Sequence, residues 1–189
     1  MDLNFWKNKK IFITGSSGFK GSWLTFWLIK LGAKVCGYSL SNNEKNLLFN
    51  GLKIEKNSEQ IFADIRDFQS LKQSINEFKP EIVIHMAAQS LVRESFENPV
   101  HTFETNIIGT ANLLQVSKQL NTIKSILVIT SDKCYENIEK NISYKETDKM
   151  GGHDPYSASK GCAEIVASSY YRSYFKDCND VGLATARAG

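Results

Sequence analysis

A chain of 189 residues, 42 % apolar and 23 % charged, has the composition of an ordinary globular domain with a good-sized core. Its net charge of +3 is carried by scattered residues with only short pairs such as Lys9-Lys10, which gives no electrostatic footprint for nucleic acid or a membrane surface. No apolar run approaches a membrane span and no signal-peptide core precedes the first one, so the chain reads as a soluble cytoplasmic protein.

Ile11-Phe12-Ile13-Thr14 is an apolar run that predicts a first strand. Gly15-Ser16-Ser17-Gly18-Phe19-Lys20-Gly21 follows it and opens a segment, Ser22 to Ile29, of helical periodicity. Strand, glycine turn and helix together present backbone N–H groups and a helix N-terminus to a pyrophosphate. A side chain at the glycine positions would block the turn or hold the phosphates away. The spacing Gly-x-x-Gly-x-x-Gly is a variant of the dinucleotide fingerprint, and a plain turn is the alternative reading. Lys34 to Ser39 predicts a second strand, and the polar, Asn-rich residues 40–58 a loop with at most a short helix. Gln60 to Asp64 predicts a third strand. Asp67 is placed to cap a helix whose apolar positions are Phe68, Leu71, Ile75 and Phe78. Pro80 closes that helix, and Glu81 to Met86 predicts a buried strand. Asn98-Pro99 reads as N-cap and first residue of a long helix to about Leu120. Ser125 to Thr130 predicts the fifth strand, residues 156–176 another long helix, and Val181 to Ala186 the sixth strand.

This alternation predicts an α/β fold: a Rossmann-type doubly wound parallel sheet with helices on both faces, joined by right-handed crossovers. Ligands of such sheets bind outside the carboxyl ends of the strands. Thr14-Gly15, Ser39, Asp64, Ala87-Ala88-Gln89 and Ser131-Asp132-Lys133 stand at those ends and are expected to converge on one crevice. Residues 1–189 are thus read as one dinucleotide-binding domain, with nothing after the sixth strand to build a C-terminal substrate domain. Cys36, Cys134, Cys162 and Cys178 show no C-x-x-C pairing, and His85, His101 and His153 are scattered, so buried thiols are expected and no metal site.

Tyr156 and Lys160 lie one helical turn apart on one face. A phenol with an ordinary pKa of about 10 is a poor base, and a nearby Lys⁺ together with a bound nicotinamide cation favours the phenolate. Such a pair can take a hydroxyl proton while hydride leaves the carbon, with Ser131 hydrogen-bonding the substrate oxygen. The alternative is a plain Tyr and Lys on a helix surface. Asp132 and Lys133 add an acid and a base beside the pair, as an elimination of water requires; a structural ion pair or a capping Asp is the competing reading.

In this order the residues resemble the extended short-chain dehydrogenase/reductase superfamily, and within it the CDP-glucose 4,6-dehydratases. The resemblance rests on Gly18-Phe19-Lys20-Gly21-Ser22-Trp23-Leu24, Asp64-Ile65-Arg66-Asp67 and His85-Met86-Ala87-Ala88-Gln89. Its sharpest parts are Thr130-Ser131-Asp132-Lys133-Cys134-Tyr135 and Met150-Gly151-Gly152-His153-Asp154-Pro155-Tyr156, with Arg187-Ala188-Gly189 closing the pattern. It implies a redox-neutral cycle on bound NAD that converts CDP-glucose to CDP-4-keto-6-deoxyglucose and water, for the deoxysugars of cell-surface polysaccharide such as lipopolysaccharide O-antigen. Tyr156, Lys160 and Ser131 are implied to serve oxidation at C4, and Asp132 and Lys133 the elimination across C5 and C6. Gly15, Gly18 and Gly21 are implied to line the pyrophosphate, with Thr14, Ser17, Phe19 and Lys20 completing the cofactor turn. Asp64 and Ile65 fall to the adenine, Ala87, Ala88 and Gln89 to the ribose and pyrophosphate, and Arg93 to the substrate. A homodimer through the helices near 99–120 and 156–176 is likewise implied. The sequence departs from the pattern at Ser16-Ser17, where the family often has His-Thr, and at Ile142-Ser143, where Trp-Gly is expected. The second strand also ends without the acid that usually meets the NAD ribose. A 4-epimerase, a dehydratase for another nucleotide, or a truncated non-catalytic NAD-binding module are the other readings.

Overall fold

The computed structural model describes residues 3–41, 46–139, 142–177 and 180–189. Six parallel strands form its sheet: β1 (Lys10–Thr14), β2 (Lys34–Ser39), β3 (Glu59–Phe62), β4 (Ile82–His85), β5 (Ser125–Ser131) and β6 (Gly182–Ala188), in the order β3-β2-β1-β4-β5-β6. That order places the reversal of direction between β1 and β4, the switch point at which doubly wound sheets bind their ligands. β1 lies near the middle with both faces covered, which is why its sequence is an unbroken apolar run. Phe12 points to one face, packed with Tyr38, Leu71, Ile75, Val83 and Leu113. Ile11 and Ile13 point to the other, with Leu28, Val35 and Ile84.

α1 (Phe19–Lys30) supplies Leu28 to the second cluster. α4 (Phe68–Phe78), α7 (Gly109–Ser117) and α8 (Pro155–Tyr170) cover the first, through Leu71 and Ile75, Leu113 and Leu114, and Ala167. The Asp67 carboxylate caps α4, accepting from the N–H groups of Gln69 at 3.1 Å and Ser70 at 3.0 Å. The helix stops at Phe78, where Lys79 turns left-handed (φ 54°) and Pro80 has no N–H to continue.

Several boundaries differ from the sequence expectations. Residues 40–58, read as a loop with at most one short helix, hold two: α2 (Leu47–Gly51) and α3 (Ile54–Asn57). β3 ends at Phe62, so Asp64 stands in the turn beyond it. The helix expected from Pro99 to about Leu120 ends at Ser117 and has three parts: α6 (Pro99–Phe103), a wider π-helical turn (Glu104–Ile108), and α7. A separate α5 (Val92–Glu97) precedes it, and the Asn98 side chain donates back to Glu94 at 2.6 Å instead of capping α6. The helix expected over 156–176 runs as α8 to Tyr170 and then as a second π-helical turn to Phe175. Cys178 lies outside the described residues.

Candidate dinucleotide and catalytic site

A cavity of about 510 Å³ opens at the carboxyl ends of the strands. Its floor is the turn between β1 and α1. Gly15 takes φ +73°, and a Cβ there would come within 2.7 Å of the Ala87 backbone nitrogen. A Cβ on Gly18 would lie 3.3 Å from the Gly15 carbonyl, and one on Gly21 would collide with it outright. The turn is therefore pressed against the end of β4: Gly15 and Gly21 have no room for a side chain, and Gly18 has little. Gly18 opens α1 without a side-chain cap, which leaves the first N–H groups of a 12-residue helix for a ligand. Ser17, Phe19 and Lys20 line the same cavity. A cradle of this shape fits a pyrophosphate.

Thr14, expected at the cofactor, stands behind that wall. Its hydroxyl donates to His85 Nδ1 at 2.7 Å and accepts from the N–H groups of Met86 at 3.1 Å and Ala87 at 3.2 Å. His85 Nε2 meets the Thr110 hydroxyl at 3.0 Å, and Thr110 donates to the Asn106 carbonyl at 2.7 Å. The Thr110 proton is thus spent, so the network assigns the His85 proton to Nε2. Burial, with the Lys160 charge in second place, pushes the imidazole down to about 3 and keeps it neutral. Ser16, the departure noted in the sequence, is wholly buried and donates to Gln60 Oε1 at 2.9 Å, tying the turn to β3.

Asp64 and Ile65 line one end of the cavity, and Ala87, Ala88 and Gln89 line its wall. Arg66 grips the Asp64 carboxylate through Nε and Nη2, at 3.0 and 2.7 Å, and these hydrogen bonds hold its pKa below the usual carboxylate range. The Gln89 backbone is clamped by Asn106, whose Oδ1 accepts from Gln89 N at 2.8 Å and whose Nδ2 donates to Gln89 O at 3.0 Å. Asn106 Nδ2 also reaches Ser159 Oγ on α8 at 2.8 Å. The sequence reading missed Asn106. Its signal is the polar row Thr102, Asn106 and Thr110, one helical turn apart and all buried, along a helix otherwise apolar on that side.

Tyr156 and Lys160 both face the cavity from the first turns of α8, beside Ile129 and Thr130 of β5. Asp154 caps that helix, accepting from Ser157 N at 2.9 Å. Burial pushes the Tyr156 phenol up, the Ser131 hydroxyl pulls it down, and Asp132 and Asp154 add to the rise. Lys160 Nζ donates to the Ile129 carbonyl at 3.4 Å, and burial followed by the Lys20 charge lowers it to about 8. Ser131 donates to Asp132 Oδ1 at 3.0 Å and accepts from Lys133 N. Ser131, Asp132 and Lys133 stand at the cavity's edge and not in its lining; Asp132 and Lys133 are exposed at the start of a 3₁₀ turn, Asp132–Cys134. Arg93 lies on α5, open to solvent and 3.8 Å from Glu97, away from the cavity lining.

The glycine cradle, the switch-point cavity and the Tyr–Lys pair on one helix define an α/β protein of the dinucleotide-binding dehydrogenase type. The chain belongs to the GDP-mannose 4,6 dehydratase family, whose profile matches residues 12–179. It is 52 % identical to the CDP-glucose 4,6-dehydratase of Salmonella typhimurium over the whole of this chain and 54 % of that protein. An epimerase of Methanothermobacter thermautotrophicus superposes with a TM-score of 0.84 at 25 % identity, over 98 % of this chain and 52 % of its own. A double mutant of the dTDP-glucose 4,6-dehydratase of Streptomyces venezuelae, solved with NAD and DAU bound, superposes with a TM-score of 0.75 at 25 % identity, over 87 % of this chain and 52 % of its own. The chain therefore spans about half the length of the relatives it matches.

Proposed function

We propose that this chain is the dinucleotide-binding and catalytic portion of a nucleotide-sugar 4,6-dehydratase, acting on CDP-glucose with NAD. The observation that carries the reading is the joining of the Tyr156–Lys160 pair to an adjacent Asp132-Lys133, in a chain 52 % identical to a CDP-glucose 4,6-dehydratase. Residues 1–189 form one dinucleotide-binding domain. Gly15, Gly18 and Gly21 with the first turn of α1 hold the pyrophosphate, Asp64 and Ile65 the adenine, and Ala87 to Gln89 the adjoining ribose. Bound there, the dinucleotide would supply a reversible hydride acceptor for the sugar carbon and, while oxidised, a positive ring charge.

The protein's own groups move the protons. Tyr156 takes the C4 hydroxyl proton, with Ser131 hydrogen-bonded to the same oxygen and the Lys160 charge stabilising the phenolate. In the protein alone burial keeps that phenol protonated, so the step depends on the positive charges gathered in the cavity. The 4-ketone acidifies C5–H. Lys133 removes the C5 proton, Asp132 gives a proton to the departing C6 hydroxyl, and the electron pair of the C5–H bond becomes the C5=C6 double bond. One water leaves, and as hydride comes back to C6 Lys133 returns its proton to C5, so the double bond is saturated and no net oxidation occurs. Product release feeds a step that consumes a 4-keto-6-deoxysugar, in deoxysugar synthesis for surface polysaccharide. Exposed apolar residues on the helical rows, Ile108 and Ile165 among them, support a homodimer packed through those helices. No helix among the described residues is long and apolar enough to cross a membrane.

Mass spectrometry of CDP-glucose incubated with the protein and NAD tests the reading. Loss of one water without net reduction of the cofactor supports it. Epimerisation at C4 without loss of water overturns it in favour of a 4-epimerase.

A further inference from the structure

Glu164 lies on α8 one turn beyond Lys160, almost wholly buried, and no step of the proposed reaction uses it. Its carboxylate joins three elements. One oxygen accepts from the hydroxyl of Thr130, the residue before Ser131 on β5. The other accepts from Thr185 Oγ1 and from Arg187 Nη2 on β6, each at 3.0 Å. Burial acts to raise its pKa, and the three donors more than offset that and hold it charged. Parallel pairing of β5 with β6 sets Thr130 opposite Arg187, so the register itself brings the two donors to one carboxylate.

Arg187 carries the contact outward to the segment between β5 and α8. Nη1 donates to the Tyr135 hydroxyl at 2.8 Å and to the Glu146 carbonyl at 3.2 Å. The guanidinium also sits 4.8 Å from the centre of the Tyr135 ring, which in turn stacks on Tyr144 at 4.9 Å. Tyr135 and Glu146 belong to opposite arms of this excursion, whose arms pair through Tyr135 with Met150 and through Glu136 N with the Lys149 carbonyl. Asp132 and Lys133 open the first arm. Tyr156 and Lys160 have further anchors of their own, Asp154 at the cap of α8 and Asn106 against Ser159, beside the contacts of Ser131 with Tyr156 and of Gly161 with the base of the excursion.

We propose that Arg187, anchored by Glu164, is the positioning residue for the excursion that carries Asp132 and Lys133, and so governs the elimination step separately from the hydride step. This rests on the dehydratase reading. Elimination needs the base at C5–H and the acid at the C6 oxygen at once, so a displaced arm slows it while oxidation at C4 proceeds.

Tyr135→Phe removes only the hydroxyl that accepts from Arg187 and keeps the ring; Arg187→Met removes the whole fork. Amide hydrogen exchange of the protein and both variants is the first comparison. Residues 134–139 and 142–151 should exchange about tenfold faster in Tyr135→Phe, the cost of one charge-assisted hydrogen bond, with α8 and β1 unchanged. Unaltered exchange, or an equal rise across α8, overturns the proposal, and this readout needs no reaction. With CDP-glucose, Tyr135→Phe should lower kcat for water loss about tenfold with KM within about twofold, while reduced-nicotinamide absorbance still develops at the wild-type rate. Parallel loss of both steps overturns the separate control of elimination. A wild-type protein that releases no water from the sugar overturns the dehydratase reading instead, and the exchange comparison still passes or fails Arg187.

Discussion

Tyr156 and Lys160 share a helix face and a cavity, yet their environments push them in opposite directions. Burial drives the phenol up and the ammonium down to about 8. Replacing Tyr156 by Phe keeps the ring that packs at the cavity and removes the proton acceptor. Hydride transfer to NAD should fall by about 10²- to 10⁴-fold, with NAD affinity nearly unchanged. Stopped-flow absorbance with CDP-glucose measures the first, and fluorescence titration with NAD the second. Lys160 makes a pH prediction. Its charge, with that of Lys20 on the same cavity, favours a dinucleotide of net negative charge, and in the free protein the Lys160 charge is lost as pH rises through about 8. NAD affinity should therefore weaken as pH rises above 8, with proton uptake on binding that calorimetry in two buffers detects. Lys160→Met should flatten that dependence; a slope that survives it assigns the titration to another group.

At the scale of elements, the β1–α1 turn is the part most constrained by its surroundings. Gly15 combines a left-handed φ with backbone atoms of Met86 and Ala87 under 3 Å from any Cβ. Gly15→Ala should lose more than about 1 kcal/mol of stability and most NAD binding together, as thermal melting with and without NAD would show. Phe12→Ala, at the centre of β1, should cost about 3–5 kcal/mol with no direct effect on the cavity, measured by urea unfolding. The inner strands were legible because a sheet covered on both faces leaves apolar runs, and β2 appears with the bounds its sequence predicts. The helices at 47–51 and 54–57 were not, because four or five residues carry too little periodicity to read. The π-helical turn at 104–108 hides inside a continuous helical pattern, since it alters one turn's width and leaves the composition alone. In the site, the glycines, Tyr156 and Lys160 announce themselves by spacing. Asn106 shows only as one member of a polar row, while Glu164 and Arg187 work through partners 21 to 52 residues away, and such pairings leave no local trace.

Over the whole molecule, the buried polar groups tie stability to pH in one direction on the acid side. Asp64, Asp154 and Glu164 each have a carboxyl held below its ordinary pKa, so each contributes stability above that value and loses it as pH falls. His85 acts the same way for the opposite reason. It is a base kept neutral by burial, with a folded pKa of about 3 against an ordinary 6.5. Between those values the unfolded chain binds the extra proton, so stability falls as pH drops from 6.5 towards 3. At pH 5 the imidazole alone should cost about 2 kcal/mol relative to neutral pH. Lys160 sits on the other flank: the unfolded chain holds its proton between about 8 and 10.5 while the folded chain has released it, so its penalty shrinks as pH rises. The melting temperature should therefore decline steadily below pH 6.5, before the carboxylates titrate. Neutral Gln at position 85 can accept from Thr14 and donate to Thr110. His85→Gln should lower stability at pH 7 through imperfect fit, yet flatten the decline between pH 6.5 and 5. Melting curves of both proteins across that range decide it: an equal slope in the variant would remove His85 from the acid response and leave it to the carboxylates.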